Sequence, residues 1–94
     1  MDEIVIDTNI VIFYFGEFSR LTKLAETTVD EAAEKGTVLV PSIVLVELVY
    51  LIEKNRIPAD VLNKLREALD DDSTAFRLAE LTRGVADEIE NIDR

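Results

Sequence analysis

Short continuous apolar runs alternate along the chain with stretches in which apolar residues recur at helical spacing. The first run, residues 4–6, is β-branched throughout, which is typical of a short strand buried on both faces. Residues 38–40 form a second run of this kind, and the alternation of Phe76 and Leu78 indicates a third short strand. The pattern therefore predicts a small sheet of about three strands.

Helical patterns separate these strands. Residues 10–15 are apolar and follow several possible N-cap residues, and Gly16 comes directly after them, so a short helix is favoured over a strand. The next segment, residues 21–36, has one apolar and one charged face and ends at a glycine.

The third helical segment is unusually apolar. Residues 43–52 carry one charge, at Glu47, so we expect a core helix that is apolar on nearly all sides and is capped by Ser42. Two amphipathic helices are predicted after it. Their inner faces are formed by Val61, Leu62, Leu65, Ala68 and Leu69 and, after a capping Thr82, by Val85, Ala86, Ile89 and Ile92.

Strands that are joined by helical segments of this length are expected to pair in parallel through right-handed crossovers. We therefore predict an α/β fold: a short parallel sheet flanked by helices, in one domain that spans residues 1–94. Parallel strands have their carboxyl ends at the same edge of the sheet. The segments near Asp7 and Pro41 are thus expected to meet there.

The amino-acid composition limits which side chains are available for catalysis. The chain has neither histidine nor cysteine, so any reaction depends on carboxylates, hydroxyls, amides, Lys and Arg. Its formal net charge is −10, which repels nucleic acid at long range. No basic leader pattern and no membrane-length apolar run is present, and these features favour a soluble protein of the cytoplasm.

Two acids have surroundings that are unusual for acids. Asp7 ends a predicted buried strand, and Glu47 lies in the middle of an apolar helix. The crossover argument brings them near one another, and Mg²⁺ typically uses one or two carboxylates and keeps several waters. The pair therefore points to a metal site.

Purely structural roles are also open to each residue. Asp7 can be an N-cap residue that binds no ligand, and Glu47 can face solvent or pair with Arg20, Lys54 or Arg56. Thr8 and Asn9 can be capping residues or can contact a ligand. Aromatic residues are interpreted as core rather than as stacking platforms for bases; these are Tyr14, Tyr50 and Phe76.

The segment Ile4-Val5-Ile6-Asp7-Thr8-Asn9, followed by an apolar helix, resembles the opening motif of PIN-domain proteins. Residues 38–47, a strand, a Pro-Ser step and a helix that bears one Glu, are similar to their second motif. The order and spacing of the two motifs fit, and the resemblance covers essentially the whole chain. It implies a three-layer α/β/α fold.

The family includes the VapC-type ribonuclease toxins of prokaryotic toxin–antitoxin pairs. By this resemblance, Asp7 and Glu47 would be the first two metal-coordinating acids and the catalytic residues, with Thr8 and Asn9 in the polar shell beside them. The expected cofactor is Mg²⁺ or Mn²⁺. The expected partners are an RNA substrate, an antitoxin protein and a second copy of the chain in a homodimer.

One departure from the family pattern is that members usually continue into another helix with a third acid and a strand that ends in a fourth. The late aspartates, Asp87 and Asp93, resemble surface residues of the last helix and are not assigned to the site. The domain is therefore interpreted as C-terminally shortened. Three hypotheses follow: a metal-dependent ribonuclease, an inactive PIN-like module that dimerises or binds a partner, and a chain whose site is completed by another chain.

Overall fold

The computed structural model describes residues 3–80 and has an α/β fold. Its sheet has three strands, β1 (Glu3–Val5), β2 (Thr37–Pro41) and β3 (Phe76–Ala79), in the order β1-β2-β3. Both strand pairs are parallel. The prediction of a short parallel sheet flanked by helices is therefore confirmed.

Four helices connect the strands. They are α1 (Thr8–Phe15), α2 (Lys23–Lys35), α3 (Ser42–Glu53) and α4 (Ala59–Asp70), with a short 3₁₀ turn at Phe18–Arg20 between α1 and α2. No helix among residues 3–80 is long and apolar enough to cross a membrane. The helix predicted after Thr82 lies outside the described residues, as do Asp87 and Asp93.

The strand register determines which side chains enter the core. Ile4 lies opposite Val38, which lies opposite Phe76, so these three side chains share one face of the sheet. All three pack in the hydrophobic core with the buried residues of the four helices. Val5 and Leu39 are paired on the other face and are not part of this cluster. The core of residues 3–80 is therefore built on the face that carries Val38.

The predicted side-chain cap is confirmed at α1, and α2 has a side-chain cap that was not predicted. Asp7 caps α1, and Thr22 caps α2 by accepting a hydrogen bond from the Ala25 N–H at 3.0 Å. The prediction that Ser42 caps α3 is wrong. Pro41, the last residue of β2, is the N-cap residue and Ser42 is already helical, so α3 begins one residue earlier than expected.

Helix α3 is not the fully buried helix that its composition predicted. Val44 and Leu48 are buried, but Ile43, Val46 and Tyr50 are 39%, 63% and 57% exposed. Their spacing of three and four residues places them on one side of the helix. The interpretation of Tyr50 as a core residue is therefore wrong, whereas Phe76 is buried as expected.

Helix α1 ends where it packs closely on α4. A Cβ atom at Gly16 would lie 2.8 Å from both the Ile12 carbonyl oxygen and the Val61 Cγ2 atom. The backbone φ of Gly16 is −127°, which any residue can adopt. Glycine is needed at this position because the Ile12 carbonyl oxygen and α4 both approach closely, and not because of a special backbone conformation.

Candidate active site

Asp7 lies in the turn between β1 and α1, where the first strand leaves the sheet. Its backbone is extended, with φ −96° and ψ 179°, as is typical of an N-cap residue. Its Oδ1 atom accepts a hydrogen bond from the Ile10 N–H at 3.0 Å. The capping role foreseen for Asp7 is therefore real, and it fixes the position of the carboxylate at the carboxyl end of β1.

Glu47 is joined to the first motif by a direct side-chain contact. The Thr8 hydroxyl donates a hydrogen bond to the Glu47 Oε1 atom, although the two residues are 39 positions apart in the chain. Thr8 is the first residue of α1 and the neighbour of Asp7. The fold thus brings the helix that carries Glu47 against the turn that carries Asp7.

None of the three cations foreseen as partners of Glu47 forms an ion pair with it. Within the described part of the chain, the one ion pair joins Arg20 to Glu17 at 3.9 Å, between two exposed side chains. Glu47 itself is exposed, so its charge is solvated and is held in place by the Thr8 hydroxyl.

Asn9 is exposed on the first turn of α1 and lines a small cavity. This cavity, of about 130 Å³, opens beside Asp7 and extends between α1 and the start of α2. Arg20 contributes to its wall, and the Arg20 guanidinium carbon lies 4.9 Å from the centre of the Phe13 ring. The lining of the cavity therefore contains a cation, an aromatic ring and the acid Asp7.

The cavity was not predicted from the sequence. Residues 17–20 have the composition of a polar break, and Arg20 was expected only as a partner for Glu47. No pattern in the sequence indicates the cavity, because it depends on how the 3₁₀ turn folds back on α1.

A tyrosine contact lies between α1 and α2. The Tyr14 hydroxyl donates a hydrogen bond to the Asp30 Oδ1 atom at 3.0 Å. Burial, this hydrogen bond and the negative charge of Asp30 raise the pKa of Tyr14 to about 12. Tyr14 therefore stays protonated at neutral pH, and its hydrogen bond connects the two helices.

The donors present can be compared with the needs of a divalent metal ion. Two carboxylates and a hydroxyl are hard oxygen donors, and Mg²⁺ is commonly held by one or two carboxylates together with water and substrate phosphate. Among residues 3–80 there is no group of three or more acidic, His or Cys side chains that could hold a metal ion without such help. These donors are of the kind that binds a hard cation, for which water and substrate would have to supply the remaining ligands.

Similarity to known proteins is found at the level of the family. The family model of the PIN domain matches residues 4–94. No curated protein and no solved structure matches the chain significantly.

Proposed function

The chain belongs to the PIN domain family, which is a family of nucleases, and from this premise we propose that it is a metal-dependent ribonuclease that cleaves RNA phosphodiester bonds. The observation that supports the proposal most directly is the contact between Thr8 and Glu47, since it joins the two motifs on which the resemblance rests. Asp7, the N-cap residue of the helix that begins at Thr8, is the other acid of the proposed site.

In this proposal Asp7 and Glu47 hold a Mg²⁺ or Mn²⁺ ion and are the catalytic residues. Such an ion supplies charge stabilisation at the phosphate and a more acidic bound water. The role of Thr8 is to orient the Glu47 carboxylate, and the role of Asp7 as a cap keeps its own carboxylate at the edge of the sheet. Asn9 provides an amide on the same turn that can contact the substrate.

An RNA cleavage assay with added Mn²⁺ tests the proposal. Glu47→Gln keeps the size of the side chain but removes its charge, and we expect a loss in rate of about a hundredfold or more. Glu53→Gln is the matched control, because Glu53 is an exposed acid at the end of the same helix. The protein must be free of contaminating nuclease. If Glu47→Gln then cleaves RNA as fast as Glu53→Gln does, the assignment of Glu47 is refuted.

We further propose that the protein acts as the toxin of a toxin–antitoxin pair, in the cytoplasm, and that it forms a homodimer. The exposed apolar side of α3 supports binding to another protein chain. Glu47 lies at the edge of this side of the helix, one turn after Ile43 and one turn before Tyr50. A chain that covers this side would therefore border the proposed catalytic residue.

The exposed side of α3 also favours a second candidate function, that of an inactive PIN-like module which acts by dimerisation or by binding a partner. Sedimentation of wild type, Val46→Lys and Leu24→Lys measures the dimer, since Leu24 is an exposed leucine on α2, 70% exposed, and is a matched control. We expect a dimer that only Val46→Lys weakens. A dimeric wild type that neither binds Mn²⁺ nor cleaves RNA would favour the inactive module over the nuclease.

A further inference from the structure

We propose that the cavity beside Asp7 binds one unpaired base of the RNA. This inference rests on the proposed function, since it names the part of the substrate that the site would grip. The cavity has a volume of about 130 Å³ and is bounded by Asp7, Asn9, Phe13, Arg20 and Thr22, with Ile10 and Ala25 among its apolar walls.

The size of the cavity suits a single ring system. An engineered cavity of about 150 Å³ in another protein holds benzene, whereas pockets for drug-sized ligands measure roughly 300–1,000 Å³. The cavity is therefore large enough for one planar ring and too small for a whole nucleotide. The sugar and phosphate of a bound nucleotide would remain outside, on the side of Asp7.

The walls favour an uncharged aromatic group. Ile10 and Ala25 are buried apolar residues, and the Phe13 ring faces the Arg20 guanidinium. The lining contains one acidic and one basic residue, Asp7 and Arg20, so it has no excess of positive charge that would select an anion, and the chain as a whole has a net charge of −10. A base meets these conditions, because its faces stack on rings and guanidinium planes without carrying charge.

Polar groups in the lining of the cavity match the edge of a base. Asn9 offers an amide that both donates and accepts hydrogen bonds. The Thr22 hydroxyl accepts from the Ala25 N–H at 3.0 Å, and its own proton can still be donated. Hydrogen bonding by these two groups would give the cavity a preference among bases.

Arg20 is available for stacking. Its side chain is 62% exposed, and its pair with Glu17 at 3.9 Å joins two exposed groups, an arrangement that contributes little. The planar guanidinium can therefore keep its contact with Phe13 while its other face covers a base at the mouth of the cavity.

Binding of a labelled single-stranded oligoribonucleotide, followed by fluorescence anisotropy, tests the inference. We expect Arg20→Ala to raise the dissociation constant by about tenfold, as for loss of one stacked base. Arg20→Lys should bind almost as weakly as Arg20→Ala, because lysine keeps the charge but has no planar group. The matched control is Arg56→Ala, which removes one exposed positive charge from the loop after α3.

A second measurement uses the positions of cleavage in a random RNA pool. A base held in the cavity would produce a nucleotide preference at one fixed distance from the cleaved bond, and Asn9→Ala should flatten that preference. If Arg20→Ala and Arg56→Ala weaken binding equally, and the cleavage pattern of Asn9→Ala is unchanged, the cavity does not bind a base, although the ribonuclease assignment stands. If wild-type protein neither binds nor cleaves RNA, both proposals are wrong. Binding that depends on Arg20 without cleavage would support the cavity and refute the nuclease.

Discussion

The two roles assigned to Asp7 can be separated by choosing the substitution. As an N-cap, Asp7 uses one side-chain oxygen to accept from the Ile10 N–H, and an asparagine in its place can do the same. In the proposed metal site Asp7 would need its charge, which asparagine lacks. Asp7→Asn should therefore keep the cap and lose the metal, whereas Asp7→Ala should lose both.

The magnitudes follow from the capping geometry. Replacing a capping side chain by alanine costs about 1 kcal/mol, in a range of roughly 0.5–2, and asparagine and aspartate are nearly equivalent caps. For a domain of this size, 1 kcal/mol corresponds to a fall in Tm of about 4–8 °C. We therefore expect such a fall for Asp7→Ala and a much smaller change for Asp7→Asn in the absence of metal. In wild type, Mn²⁺ at a hundred times its dissociation constant should add about 2.7 kcal/mol.

The assay is thermal unfolding of the wild type and both variants, each with and without Mn²⁺. Thr22→Ala is the matched control, since it removes the cap of α2 and should lower the Tm without reducing the stabilisation by Mn²⁺. If Asp7→Asn unfolds at as low a temperature as Asp7→Ala without metal, the capping argument is incorrect. If Asp7→Asn keeps the full stabilisation by Mn²⁺, the carboxylate does not bind the ion.

Three further predictions concern the packing and titration of the domain. Gly16→Ala should destabilise by about 1–3 kcal/mol in urea unfolding, because the new Cβ atom would overlap with Val61. Leu65→Ala should cost about 2–5 kcal/mol in the same assay, because Leu65 is fully buried in the core. Burial and the hydrogen bond to Asp30 raise the pKa of Tyr14 from 10.0 to about 12 on folding, so Tyr14 ionises at a lower pH in the unfolded chain than in the folded one. The free energy of unfolding should therefore fall as the pH rises from 10 to 12. In Tyr14→Phe, the urea concentration at the unfolding midpoint should no longer show this part of the pH dependence.

The sheet was predictable because its signals are local. A β-branched run that stops at an acid, as residues 4–6 do, is typical of a strand that ends at a helix cap. The parallel pairing of β1 and β2 followed from the length of helix between them. The boundaries shifted by a residue or so, because strand ends depend on the neighbouring strand as well as on the sequence.

The surroundings of α3 were not predictable from its pattern. An all-apolar helix can be buried on every side, or buried on one side and exposed on the other, and the two cases have the same composition. Val46 and Tyr50 are exposed because the core of residues 3–80 reaches only the side that carries Val44 and Leu48. Exposure of this kind depends on tertiary packing, and hydrophobicity alone cannot indicate it.

Some features of the candidate site can be predicted from local sequence, whereas others depend on the tertiary structure. Asp7 can be found from the strand and cap that surround it, and Glu47 from the apolar helix in which it is an exception. Thr8, the neighbour of Asp7, donates a hydrogen bond to Glu47 across 39 positions, and this contact depends on the pairing of β1 with β2 and on the start of α3 at the adjacent strand end. Each half of the site is thus held by its own helix, whereas their relative position is held by the parallel pairing of two short strands. A substitution that weakens this pairing would therefore separate Glu47 from the turn that carries Asp7 while both helices keep their local hydrogen bonds.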